Sequence, residues 1–203
     1  MAIYLIRHGE TASNANRVVQ VPETPLSERG LAQAERLGRR LAEDGISRIL
    51  SSDYARAHTT AEHVSATTGV PIEIEETLRE RNFGDLRGRP YSEVGDLFAE
   101  GYEPPGGESW EVFFERADRS WEIVKRAAAE TDGHLAVVTH GLICFAYVSR
   151  SARTEPGHEV SRGFANTSLT VIESQAPFRV ELLDCSAHLD EETAHDRRSV
   201  SGL

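Results

Sequence analysis

Short unbroken apolar runs alternate along this chain with longer stretches in which apolar residues return every three or four positions. Ile3-Tyr4-Leu5-Ile6 and Leu135-Ala136-Val137-Val138 are runs of the first kind, the composition of strands buried on both faces. Ile46–Ser51 and the brief Ile72–Ile74 read as further strands. Leu169–Glu173 and Phe178–Asp184 make a last pair around a turn at Gln175-Ala176-Pro177. The helical stretches are equally regular. Ser27 is placed to cap a helix whose Leu31, Ala34, Leu37 and Leu41 form one face, ending near Asp44-Gly45. A second helix starts at Ser52-Asp53 and stops at Gly69 as its C-cap. Residues 91–100 fit a short helix. After the breaker run Glu103-Pro104-Pro105-Gly106-Gly107, a long helix opens at Glu108-Ser109 with Phe113, Ala117, Trp121 and Val124 inward. Residues 142–150, LICFAYVSR, form an apolar helix. This alternation predicts an α/β fold, a three-layer α/β/α sandwich around a mainly parallel sheet. One domain is expected over residues 1–188. Residues 189–203, polar and without periodicity, are expected to form a mobile tail.

The chemistry gathers where two of these strands stop. The first ends in Arg7-His8-Gly9 and the one before residue 140 ends in His140-Gly141. In open α/β sheets ligands bind at the carboxyl edge of the strands, and two strands of one parallel sheet would deliver His8 and His140 to the same edge. Gly9 lets the backbone turn sharply or approach a ligand closely. Arg56 falls in the first turn of its helix, where free N–H groups and the helix dipole already attract anions and a guanidinium adds a bidentate donor.

With these motifs in order, the chain resembles the histidine phosphatase superfamily, its phosphoglycerate mutase-like branch, from residue 3 to about residue 188. The family's RHG motif matches Arg7-His8-Gly9 and its second histidine matches His140. Its LxE-x-x-x-G segment matches Leu78, Glu80 and Gly84, and its GGES sequence, where the serine region closes over substrate, ends here at Ser109. The resemblance implies His8 as nucleophile, Glu80 as proton donor, and Arg7, Arg56 and His140 as phosphate-holding groups. Asn14 and Gln20 would face the phosphate pocket, with Gly141 beside them. A glycine often follows the Gln20 position in the family. Here Val21 stands there and the loop is one residue shorter, which puts that wall of the pocket in question.

Composition narrows the partners. A net charge of −11 over 203 residues argues against nucleic acid and against an anionic membrane surface. No apolar run approaches membrane-spanning length. The amino terminus enters a strand within three residues without a signal-like segment, so the expected address is cytoplasmic. Cys144 and Cys185 have no metal-ligand spacing, and Cys144 reads as core. Two guanidiniums around one point would repel a divalent cation, so no metal and no other cofactor is expected.

The expected reaction is therefore metal-independent hydrolysis of a small phosphorylated metabolite through a phosphohistidine at His8. The alternatives are a cofactor-dependent phosphoglycerate mutase and a weakly active regulatory module that binds phosphoproteins. Three features favour hydrolase over mutase within the resemblance. Phe83 stands where mutases carry tyrosine. Their longer insertion with paired arginines is lacking. Between Arg89 and Pro104 the charged residues are Glu93, Asp96, Glu100 and Glu103, an acidic lid that would repel a carboxylate substrate. The substrate is left open, and so is assembly as monomer or homodimer.

Overall fold

The computed structural model describes residues 1–155, 160 and 162–189. Six strands form one sheet in the order β3-β2-β4-β1-β5-β6. They are β1 (Ala2–Arg7), β2 (Ile46–Ser51), β3 (Ile72–Ile74), β4 (His134–Thr139), β5 (Leu169–Glu173) and β6 (Val180–Cys185). The first four run parallel, β1 beside β4 in the register Arg7 to Thr139. The last two are antiparallel additions on the β1 side. The sheet is thus mixed, with its parallel part where the sequence puts it.

Period-two burial explains the layers. Ile3, Leu5, Leu135 and Val137 point to one face, where Phe113, Trp121 and Val124 cover them. Ile6, Ala136, Val138 and Ile49 point to the other and meet Leu37, Leu41, Ala61 and Val64. The covering helices are α2 (Glu28–Leu41) and α3 (Ala55–Thr68) on one side and α5 (Trp110–Ala129) on the other. The α5 side also carries α6 (Gly141–Ala146), continued by one wider turn over Tyr147–Ser151. Two short helices complete the set, α1 (Ala12–Ala15) and α4 (Tyr91–Val94).

Most predicted ends hold. The Ser27 hydroxyl accepts from Gly30 N–H, Ser109 does the same for Val112, and Gly69 closes α3 in the left-handed conformation. Several details differ. Leu31 is 41% exposed, and the α2 face that packs on α3 uses small residues instead: a Cβ on Gly38 would come within 2.6 Å of His63 O. Residues 12–15, which no sequence pattern marks, form α1. The helix expected over 91–100 lasts only to Val94, because Gly95 adopts a positive φ. The helix after β2 begins at Ala55 rather than Ser52, which keeps Ser52 at the strand end. Leu189 donates to Ser186 O in a closing turn; residues 190–203, the rest of the predicted tail, lie outside the described residues.

Candidate active site

Strand register assembles the floor. Thr139 O accepts the His8 N–H (2.9 Å), so the ends of β1 and β4 are tied together and the rings of His8 and His140 lie 5.2 Å apart. Asn166 donates its side-chain amide to His8 O, and Thr60 Oγ1 accepts the Gly9 N–H. Gly9 is needed for packing: a Cβ there would stand 2.7 Å from Gly30 O at the start of α2. The close approach that its lack of a side chain permits is therefore to a helix, not to a ligand.

One hydrogen bond fixes the chemistry of His8. Its Nδ1 lies 2.7 Å from Gly9 O, and a carbonyl can only accept, so the proton sits on Nδ1. Nε2 then presents a lone pair, to which Arg56 Nε donates at 3.3 Å. Burial, then the charges of Arg56 and Arg7, hold the imidazole well below its ordinary pKa and hence neutral. His140 is held down likewise, by burial and then by Arg56 and His8. Its Nε2 lies 2.9 Å from Ser52 Oγ, while its buried Nδ1 has no hydrogen-bond partner among the described residues.

Both predicted arginines are buried beside these rings. Arg7 donates to Phe164 O, and burial pulls its pKa down against the opposing pull of Glu80. Arg56 is not the surface arginine that its position beside Asp53 would allow, since Asp53 pairs with Arg79. Arg56 Nη1 instead donates to Val21 O at 3.1 Å, and burial lowers its pKa to about 10, still cationic at neutral pH. Val21 thus meets Arg56 through its carbonyl, a contact independent of its side chain.

Glu80 faces this group across the cavity. Its two oxygens accept the N–H groups of Arg81 (2.9 Å) and Leu142 (3.3 Å), the second from the first turn of α6, which Gly141 opens. Burial raises its pKa, opposed by those two N–H groups and by Arg56 and Arg7. A carboxyl that holds its proton more tightly than an exposed glutamate thus stands opposite a neutral imidazole. Thr11 donates its backbone N–H to Asn14 Oδ1 (3.2 Å) and its hydroxyl to Gln20 Oε1 (2.9 Å), which leaves the amide N–H ends of both side chains for a ligand. Gln20 reaches the cavity wall.

The acidic lid needs correcting. Glu93, Asp96, Glu100 and Glu103 are all exposed and none lines the cavity. The cations that do line it are Arg56, Arg81 and Arg87, of which Arg87 is the least buried. The segment that carries Glu80 is also held in a way the sequence conceals. Arg116 of α5 donates to the carbonyls of Thr77 (2.9 Å), Arg79 (2.7 Å) and Glu80 (3.2 Å) and pairs with both oxygens of Glu108. Glu108 in turn accepts the Asn82 N–H at 2.8 Å. Ser109, expected near the substrate, is taken up in capping α5. Ser52 and Tyr54 were missed although a signal existed: they follow β2 at the same sheet edge as His8 and His140. Arg81, Arg87 and Arg116 carry no such signal.

A family model described as "Histidine phosphatase superfamily (branch 1)" matches residues 3–181. Phosphoglycerate mutase-like protein 4 of Arabidopsis thaliana is 33% identical over 184 residues, 83% of this chain and 77% of the relative. Fructose-2,6-bisphosphatase TIGAR of Xenopus tropicalis is 37% identical over 142 residues, 64% of this chain, and the match spans only 51% of that protein. Among solved structures, a phosphoglycerate mutase from Bacillus anthracis superposes with a TM-score of 0.78 at 25% identity, covering 93% of this chain and 94% of the other.

Proposed function

The chain belongs to the histidine phosphatase superfamily, an enzyme of the phosphatase kind, and on that premise we propose that it hydrolyses phosphomonoesters without a metal, through a phosphohistidine at His8. The observation that carries this reading is the His8 tautomer, with its proton held on Nδ1 by Gly9 O and a neutral, lone-pair-bearing Nε2 beside Arg56.

In the first step Nε2 attacks phosphorus in line, the N–P bond forms and the ester O–P bond breaks. Glu80, protonated, passes its proton to the leaving alkoxide. Arg7, Arg56 and the Nδ1 side of His140 receive the phosphoryl oxygens, with Asn14, Gln20 and the Gly141 amide as neutral donors. In the second step Glu80, now a carboxylate, takes a proton from water as the water oxygen bonds to phosphorus. The N–P bond then breaks, releasing phosphate and neutral His8. The arginines supply the electrophilic field that a metal supplies elsewhere. Among the described residues no three His, Cys, Asp or Glu side chains cluster as metal ligands, and activity should withstand EDTA.

Hydrolysis is favoured over mutase chemistry by Phe83, which packs edge-on against Phe98 and brings no hydroxyl to the wall. The four exposed acids between Arg89 and Pro104, which do not line the cavity, add nothing to that choice. Rapid quench with a labelled phosphomonoester should trap an acid-labile, base-stable phosphoryl group on His8, and label on serine or aspartate would refute the scheme. Incubation with 3-phosphoglycerate and catalytic 2,3-bisphosphoglycerate should give inorganic phosphate or nothing. Isomerisation faster than phosphate release would decide for a mutase.

A further inference from the structure

The wall above the phosphate end says what kind of alcohol the ester carries. The cavity is bounded there by Tyr54, Phe83, Tyr91, Phe98 and Leu142. Of the polar groups around them, the Tyr91 hydroxyl and the Gln20 amide N–H end carry no hydrogen bond among the described residues, while the others are largely engaged. Gln20 Oε1 accepts from Thr11, and both Glu80 oxygens accept backbone N–H groups. Arg81 gives its guanidinium to three carbonyls, those of Glu108, Leu97 and Tyr102. A polyhydroxylated alcohol would find few acceptors and would lose hydration against aromatic rings, and an unmatched buried hydroxyl is costly.

Arg87 is the exception. Its Nη2 donates to the Tyr54 hydroxyl at 3.0 Å, and no carboxylate pairs with it among the described residues. Tyr54 also carries Arg56 against its ring, 5.2 Å from guanidinium carbon to centroid. One tyrosine thus touches both the cation beside His8 and the cation without a carboxylate.

Resting on the phosphatase reading, we propose that the preferred substrate is a phosphomonoester of a flat, apolar alcohol about the size of one aromatic ring, bearing a second anionic group that Arg87 receives. Ring faces stack on Phe83, Phe98 and Tyr91, and the guanidinium takes a planar anion bidentately.

The test uses primary alcohols throughout, so that leaving-group chemistry is matched: 4-carboxybenzyl, 4-carbamoylbenzyl and benzyl phosphates, with glucose 6-phosphate as the hydroxylated comparator. For the unaltered enzyme, kcat/KM should favour the carboxylate over its carboxamide by about ten-fold, the value of one charge-assisted hydrogen bond. Benzyl phosphate should exceed glucose 6-phosphate by a similar factor. Arg87→Gln should bring the carboxylate-to-carboxamide ratio close to unity, and Arg87→Lys should retain part of it. A carboxylate preference that is missing, or that survives Arg87→Gln, overturns the inference, as does glucose 6-phosphate turned over as well as the benzyl ester. Failure to release phosphate from any ester counts against the phosphatase reading instead. Calorimetry with 4-carboxybenzylphosphonate and its carboxamide then reads the wall alone: tighter binding of the carboxylate, lost in Arg87→Gln, supports the inference, and equal affinity refutes it.

Discussion

Two imidazoles kept neutral by burial make the protein's stability depend on pH. His8 and His140 have folded-state pKa values well below the ordinary histidine value, while the unfolded chain takes up protons near pH 6.5. Below that pH the unfolded state binds more protons, so stability is present above about pH 6.5 and is lost on acidification, by up to about 1.4 kcal/mol per histidine per pH unit. Glu80 acts in the opposite sense. Its raised pKa contributes stability that is full below the ordinary carboxylate value and lost as pH rises through the folded one. Two histidines outweigh one carboxyl, so the urea midpoint should fall between pH 7 and pH 5.5. An unchanged or higher midpoint at pH 5.5 would mean that the folded protein holds these rings charged. The same carboxyl has a kinetic signature. Glu80→Gln should slow alkyl phosphates at least about 100-fold while slowing nitrophenyl phosphate far less, since that leaving group needs little protonation. Equal losses would move the acid elsewhere. Glu108 is a poor substitute: burial pushes its carboxyl up, but Arg116, the Asn82 N–H and Arg81 together outweigh burial and hold its pKa below the usual carboxylate value.

At the scale of elements, the segment from Glu76 to Leu86 has little regular structure, two single 3₁₀ turns, and is held instead by its neighbours. Arg116→Met would leave three carbonyls without their donor and Glu108 without its counter-charge. The expected loss is about 3–5 kcal/mol, the usual cost of breaking a mostly buried pair, read from denaturant melts. A loss below about 1 kcal/mol, the range of an exposed pair, would show that solvent replaces the arginine. Gly84→Ala should be nearly as damaging, because φ is +52° and a Cβ would stand 2.1 Å from Pro105 O. These contacts mark where sequence reading stops. Strands β1 and β4 were legible because apolar residues buried on both faces leave an unbroken run, and α5 because Phe113, Ala117, Trp121 and Val124 keep helical spacing. His8, Arg7, Arg56 and His140 were legible as motifs at element ends. Arg116, Arg81 and Arg87 were not. A lone arginine in a charged stretch reads the same whether it faces water or three carbonyls, and the difference is made by residues far away in the chain. The lid acids failed conversely: their charge was visible and their outward direction was not.

For the molecule as a whole, the three layers gather the candidate site from four separate pieces of chain. β1 supplies Arg7 and His8, α3 supplies Arg56, the Glu76–Leu86 segment supplies Glu80, and the end of β4 supplies His140. The antiparallel β5 brings Asn166 against the backbone of His8 from just before its start. Among the described residues no helix is long and apolar enough to cross a membrane. We expect residues 1–188 to fold and act as one unit. A chain ending after His188 should keep the kcat/KM of the full chain within about two-fold, a change equivalent to the ±0.5 kcal/mol usual for surface changes. A larger loss would assign residues beyond 188 a part in the fold or the site.

The position of β1 in the sheet also sets a schedule. It is made first, yet its two neighbours are β4, from residue 134, and β5, from residue 169. At synthesis rates of about 5–20 residues per second, the first strand waits roughly ten seconds before either partner exists. Throughout that interval Ile3, Leu5 and Ile6 belong to a strand with two open edges, the form most prone to pairing with other chains. Arrested nascent chains should therefore stay protease-sensitive near their amino terminus until β4 has left the ribosome, and resistance at a shorter length would show that another partner shelters the strand. The strand that ends in His8 is thus the one that waits longest for a partner during synthesis.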